Sequence, residues 1–335
     1  MKLATESTIK TLGNYAYQAI QKHFTKILKW EKPVKKDEDP EALHQMRVGM
    51  RRLRTAISRF DIILDLPQPA NPKNIGKIAR RLGNLRDLDV LKESLETSYQ
   101  PHLPTKEQKS LQTAFHALAK QREEAVTKTI GTLKHESYQS LKQSLQAWLD
   151  KPNYQPLATL SIQQVLPDLL LPELSQFLLH PGFLVGTELV DSQVKVNTDW
   201  STEKIEKYLT TKGETLHDLR KQAKRLRYQM ELFTELYGES YAAYIADVKN
   251  IQDILGNIQD SVVMGEWLIG VFKSEINTKL PTLTSLLAAN RYQWWQAWQP
   301  LQERYLQTEN RHNFHLTILH PVGDEERAEN AESRV

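Results

Sequence analysis

LHQMRVGMRRLR, residues 43–54, returns as LHDLRKQAKRLR at residues 216–227, 173 positions later and without a gap. Six of the twelve positions are identical, and Arg51 is replaced by Lys224, which keeps the charge. The same offset aligns LGNLRD (82–87) with LGNIQD (255–260). Two matches at one spacing mark two copies of one supersecondary unit. Each copy brings a histidine followed by a basic cluster, so both are expected to serve one ligand.

Placed on a helix, Met46, Met50, Leu53, Ile57 and Phe60 fall in one narrow sector, the spacing of a core-facing stripe. His44, Arg47, Arg51 and Arg54 share a second sector about 80° wide. The second copy repeats both faces, with Leu219, Ala223, Leu226, Met230 and Phe233 inward and His217, Arg220, Lys224 and Arg227 on the basic side. Each basic row extends about 15 Å along its axis. Like charges one turn apart repel by about 0.2–0.5 kcal/mol per pair, so a row made twice is matched to an anion. Arginine suits phosphate because its planar fork donates two hydrogen bonds together. An extended row suits an extended polyanion better than one compact phosphate. His44 and His217 donate to phosphate once protonated, and a bound anion would raise their pKa.

The net charge of +3 conceals this segregation. Residues 44–60 carry +5 and residues 217–230 carry +4, which leaves −6 for everything else. Concentrated charge of this kind is a partner signal, whereas a scattered surplus would only aid solubility. There are no cysteines, so disulfides and thiolate metal sites are excluded. The N-terminus lacks the layout of a secretory signal, and no apolar run reaches the length of a membrane span. The chain therefore reads as cytoplasmic.

Helical periodicity dominates, and the expected fold class is all-α. A first amphipathic helix is expected over about 5–31. Asp39-Pro40-Glu41 then caps and opens a second, running to Leu66 before Pro67. Asn71-Pro72 opens another to about Tyr99, and Thr105 a long run with a break near Gly131 and an end near Leu149. Residues 151–200 are the least regular, and 186–200 read as a linker or insertion. Helices over about 213–237, 240–272 and 282–310 complete the second copy. The expected organisation is one unit over 1–310, with repeats at about 1–150 and 201–310 joined by 151–200. Residues 321–335 read as a disordered polar tail.

Arg52 and Arg225 also match at the offset but point about 80° to the other side of the histidine, which suggests structural pairing with the matching Asp87 and Asp260. KNIGKIARRLGNLR (73–86) adds five positive charges without an acid. Lys73, Lys77 and Arg80 share one face there and extend the candidate anion surface, as does Lys221 in the second copy. The contribution is one-sided, because Asp253 stands opposite Arg80.

EALHQMRVGMRRLRTAISRF, RRLGNLRDLDVL, LHDLRKQAKRLRYQMELF and DILGNIQDSVV, in this order and spacing, closely resemble the CHAD family, the conserved histidine α-helical domain. The resemblance reaches to about residue 310, with 186–200 and the acidic tail as departures. It implies two four-helix bundles related by an internal pseudo-twofold, around a basic channel that binds inorganic polyphosphate. Carried onto this sequence, the channel residues are His44, Arg47, Arg51, Arg54, His217, Arg220, Lys224 and Arg227, the eight that the helical wheel selects. Localisation at polyphosphate granules would follow from such binding. Many family members are fused to a triphosphate-processing domain marked by an ExExK strand; no such motif occurs here, and that activity is not carried over.

Non-catalytic polyphosphate binding is therefore the first expectation, with no cofactor. RNA binding through the same helices is the alternative. Readers of single strands interleave aromatic platforms with basic groups, and here only Tyr228 is offered, while Trp294, Trp295 and Trp298 sit elsewhere at packing intervals. For an enzyme the chain lacks a P-loop, HExxH or nucleophile elbow. No carboxylate cluster is expected beside the basic helices. His312 and His315 form an i, i+3 pair without a third ligand, read as surface residues.

Overall fold

The two basic segments are helical, and their apolar stripes build the core. A computed structural model describes residues 11–322. Helix α1 covers Leu12–Lys36 and α2 Pro40–Arg59, the latter capped by the Asp39 side chain on the Glu41 amide. The first copy continues through α3 (Pro72–Arg81), α4 (Gly83–Ser94), α5 (Thr105–Lys134) and α6 (Glu136–Asp150). After α7 (Ile162–Leu178) comes a hairpin, β1 (Thr187–Val190) and β2 (Gln193–Val196). The second basic helix is α8 (Thr202–Glu231), followed by α9 (Glu239–Phe272), the single turn α10 (Ile276–Lys279), α11 (Pro281–Leu306) and α12 (Thr308–Leu319). The protein is all-α apart from the hairpin. No helix among the described residues is long and apolar enough to cross a membrane.

Burial follows the 173-residue offset far beyond the two motifs. Met46, Met50, Leu53, Ile57 and Phe60 are buried, as are Leu219, Ala223, Leu226, Met230 and Phe233. Ile75 and Val248, Leu85 and Ile258, Ala125 and Trp298, Leu141 and Phe314 are likewise buried pairs at that spacing. Phe60 and Phe233, equivalent by sequence, pack against each other edge to face at 5.9 Å. Between the copies, Glu107 of α5 accepts the Thr282 and Leu283 amides at 3.0 and 3.1 Å, capping α11.

Several element boundaries differ from the sequence expectation, each for a local reason. Helix α2 ends at Arg59 rather than Leu66, because the backbone beyond pairs with residues 153–155 instead. The helix expected over 72–99 breaks at Leu82. Arg47 Nη1 donates to the Ala79 carbonyl at 3.1 Å, the acceptor that the Gly83 amide would use in a continuous helix. In the second copy residue 252 replaces Ala79, and α9 runs through unbroken. The break expected at Gly131 falls at His135, whose ring caps α6. Residues 186–200 hold the hairpin, turned by Asp191 and Ser192 at φ 51° and 63°. Ser201 caps α8 well before residue 213. The start of the first expected helix and the tail from residue 323 onward lie outside the described residues.

Arg59 and Arg225, which lie outside the basic rows, tie α2 and α8 to α7 through Glu173. This buried carboxylate accepts from Gln222 Nε2 at 2.7 Å and Gln229 Nε2 at 2.9 Å, with Arg59 at 3.4 Å and Arg225 at 3.5 Å. Arg59 also donates to the Leu169 carbonyl and to Gln229. Replacing Glu173 by alanine would leave a largely buried guanidinium without its counter-charge. Glu173→Ala should cost about 3–5 kcal/mol of stability in urea denaturation. A loss under about 1 kcal/mol would show that the neutral acceptors suffice for Arg59.

Candidate anion-binding site

The two sequence motifs meet in one contact, made once in each copy. Arg47 lies against Gly83 and Arg220 against Gly256. A Cβ on Gly83 would stand 2.7 Å from Arg47 Nη1, and one on Gly256 3.1 Å from Arg220 Nε. Each glycine leaves room for a guanidinium that a side chain there would force to shift. Each arginine then faces the aspartate one turn after its glycine, Arg47 with Asp87 at 3.9 Å and Arg220 with Asp260 at 3.5 Å. This corrects the pairing expected from sequence. Arg52 instead meets Glu231 at 3.2 Å and Arg225 meets Glu173, because their helix phase turns them away from α4 and α9.

Lys224 occupies the centre. Burial, and then Arg51, Arg220, Arg47 and Arg227 around it, push its pKa down from 10.5 to about 7. Arginine does not release its proton in this range, so the lysine is the group that yields. Arg51 Nη1 donates to the Tyr228 hydroxyl at 2.7 Å, linking α2 to α8. The same ring lies 5.3 Å from the Arg51 guanidinium carbon and 4.3 Å from that of Arg227.

His44 is held below its ordinary pKa by burial and by Arg86, Arg51 and Arg47, which together outweigh Glu41. His217 is lowered by burial, Lys221 and Arg220. Both imidazoles are therefore mainly neutral at pH 7. Crowding by neighbouring protein shifts the Asp260 carboxyl up although its side chain is still mostly exposed, and Asp87 adds to this, so the two aspartates are near enough to feel each other. Both aspartates thus stand beside the arginines of the basic rows, whereas the sequence reading paired them with Arg52 and Arg225.

Seven of the eight expected residues, His44, Arg47, Arg51, His217, Arg220, Lys224 and Arg227, are electrostatically coupled in this cluster. Arg54 marks one end, its guanidinium against Gly76 and its pKa lowered by burial, Arg80 and Arg225. Arg227 is the most enclosed; it donates to Gln252 at 2.9 Å and pairs with Glu231 one turn on. Lys221 is paired with Asp218 on the exposed side. Lys73, Lys77 and Arg80 are exposed on α3, with Arg80 the one close to Arg54. Arg86 was not singled out from sequence, although it faces both His44 and Arg47. Its signal was its place inside LGNLRD, where the second copy has Gln259. His315 is tied to the Arg311 carbonyl at 2.8 Å. Among the described residues no group of three histidine or acidic side chains could hold a metal ion.

With this geometry in place, comparison with known proteins gives the class. A model of the CHAD domain matches residues 18–269, well over half of the chain. The chain belongs to the CHAD family. Among solved structures it resembles the crystal structure of the CHAD domain from the plant Ricinus communis, at 23% identity over 93% of this chain and 95% of that one, with a TM-score of 0.54. It also resembles PptA from Streptomyces chartreusis, at 13% identity over 89% and 100%, with a TM-score of 0.62. Both are likenesses of fold. No curated protein matches the chain.

Two measurements test the site without a ligand. The Lys224 amine should titrate near pH 7 in pH-dependent amine labelling read by mass spectrometry, and Arg51→Leu should move it upward. Reaction with the profile of a surface lysine, near 10.5, would dissolve the central cluster. For Gly256→Ala, helix propensity alone predicts a gain of about 1 kcal/mol. The Arg220 contact predicts that this gain is absent in chemical denaturation, and a full gain would show that the guanidinium moves aside without cost.

Proposed function

We propose that this protein is a non-catalytic receptor for a long inorganic polyanion, inorganic polyphosphate, laid along the paired faces of α2 and α8. The observation that carries this reading is the convergence of basic side chains from α2 and α8, where Arg51 and Arg227 share the Tyr228 ring and Lys224 feels four arginines. Asp87 and Asp260 are too few to neutralise the cluster, so an external anion would complete it. Membership in the CHAD family supports the same ligand. The offset in burial, and the contact of Phe60 with Phe233, support two copies, about 1–150 and 201–310, arranged as bundles about a pseudo-twofold.

RNA is the weaker reading for a specific reason. Tyr228 is the single aromatic within the cluster; it is 7% exposed, with two guanidiniums over its ring, and offers no face to a base. On the same reading Arg47 and Arg220, oriented by Asp87 and Asp260, bind phosphate, and the protein's role would be to hold the chain or to bring it to polyphosphate granules.

A bound polyanion returns the proton that Lys224 gives up. Its pKa is depressed in the free protein and restored in the complex, so binding takes up a proton above pH 7 and weakens as pH rises through that window. The histidines add a similar effect at lower pH. Calorimetry with long-chain polyphosphate should give a log–log salt slope of about −5, hence roughly a thousandfold loss from 50 to 200 mM salt. Proton uptake at pH 7.5, read in buffers of different ionisation enthalpy, should vanish in Lys224→Met. Binding that ignores salt, survives Arg47→Ala/Arg220→Ala, or yields equally to RNA would overturn the reading.

A further inference from the structure

At one junction the two copies differ in a way that opens a second site. In the first copy Arg122 of α5 reaches across to α1 and α4. Its Nη1 and Nη2 bond Asp37 at 2.7 and 2.8 Å, and its Nε bonds Asp89 at 2.8 Å. An aliphatic chain ending in a cation thus closes the space between helices. In the second copy these three positions are Thr210, Val262 and Trp295. Both carboxylates are gone, and Trp295 turns to stack on Trp200, with ring centroids 5.7 Å apart.

The result is a groove of about 450 Å³ between α8 and α9, which Thr210 and Val262 both line. Leu209, Leu216 and Ile258 give it an apolar floor. A Cβ on Gly213 or Gly265 would meet nothing within 4 Å, so both walls are open. Glu206 is already held by Arg291, through Nε at 2.7 Å and Nη2 at 2.5 Å. Glu214 and Glu266 remain exposed on the lining, without an ion-pair partner among the described residues.

We infer that this groove binds a linear aliphatic polyamine, with its methylenes on the apolar floor and its ammonium groups at Glu214 and Glu266. Arg122 displays the same chemistry as a built-in side chain: methylenes between helices, and a cation held by two carboxylates. The second copy keeps the apolar channel, and the cation it supplies there, Arg291, is spent on Glu206 and Ser261, which leaves the carboxylates of Glu214 and Glu266 free. A hydrated divalent cation would gain nothing from the floor. The groove lies outside the basic row, meeting it only at His217, so the inference does not rest on the polyphosphate reading.

The test is calorimetry of the full chain with spermidine, in the absence of polyphosphate and at physiological salt. One saturable site is expected. Glu214→Gln/Glu266→Gln should weaken it by about tenfold or more, as loss of charge-assisted contacts does. Gly265→Leu, which fills open space on a helix and favours the helical state, should abolish it. Thermal melts without spermidine, unchanged for the double glutamine variant and unchanged or raised for Gly265→Leu, separate site loss from misfolding. Absence of a saturable site, binding indifferent to Gly265→Leu, or displacement by magnesium at equal charge would overturn the inference.

Discussion

Positive charge crowded between α2 and α8 sets the conditions for the rest of the molecule. Lys224 with Arg47, Arg51, Arg220 and Arg227 forms a group that no arrangement of its own side chains can satisfy. The surrounding structure limits the cost without cancelling it. Asp87 and Asp260 each face one arginine, Tyr228 accepts from another, and Gln252 with Glu231 holds Arg227. Arg52, Arg59 and Arg225 of the same helices are turned to other sides and tied to Glu231 or Glu173. The two helices can therefore approach each other through the charges of one face because the charges of the other are anchored elsewhere.

Duplication explains how so simple a unit makes this arrangement. One LHxxR segment and one LGNxxD segment give an arginine, the glycine that makes room for it, and the aspartate that orients it. A second copy facing the first doubles the charge in one place. The copies have since diverged where the site tolerates it. Arg86 adds a cation to the first half and Gln259 leaves the second without one. Arg47 takes a backbone carbonyl and breaks the helix at Leu82, while α9 stays continuous. Similarity of the two motifs thus marks the arginine, glycine and aspartate contact that both copies build, and their differences mark what that contact does not need.

Much of this was legible in the sequence, because helical phase is a local property. The core stripes of α2 and α8, and the phase of the eight basic residues, follow from residue spacing alone. What could not be read depends on distance across the fold. Arg52 and Asp87 match at the offset as well as Arg47 and Asp87 do, and only the packing of α4 on α2 decides between them. The break at Leu82 was hidden for the same reason, since its cause is a side chain 32 residues before the Ala79 carbonyl that it takes. Glu231 was local and still missed, because it lies one turn beyond the repeated segment. The hairpin at 187–196 was hidden by a polar composition that suits a linker equally well.

Lysine at position 224, where the first copy has arginine, has a physical consequence. A depression from 10.5 to about 7 corresponds to roughly 5 kcal/mol against the charged form. That is comparable to the whole stability of many domains, so a fixed charge at the most crowded point would strain the empty protein. Lysine can shed its proton and arginine cannot. With Arg51 retained opposite, one copy supplies a permanent charge and the other an adjustable one. On the proposed reading the empty site relaxes by part of a charge near neutral pH and would regain it on binding an anion, so that the same cluster is tolerated alone and attractive to a ligand. An arginine here would keep the attraction and lose the relaxation, and a neutral residue would do the reverse.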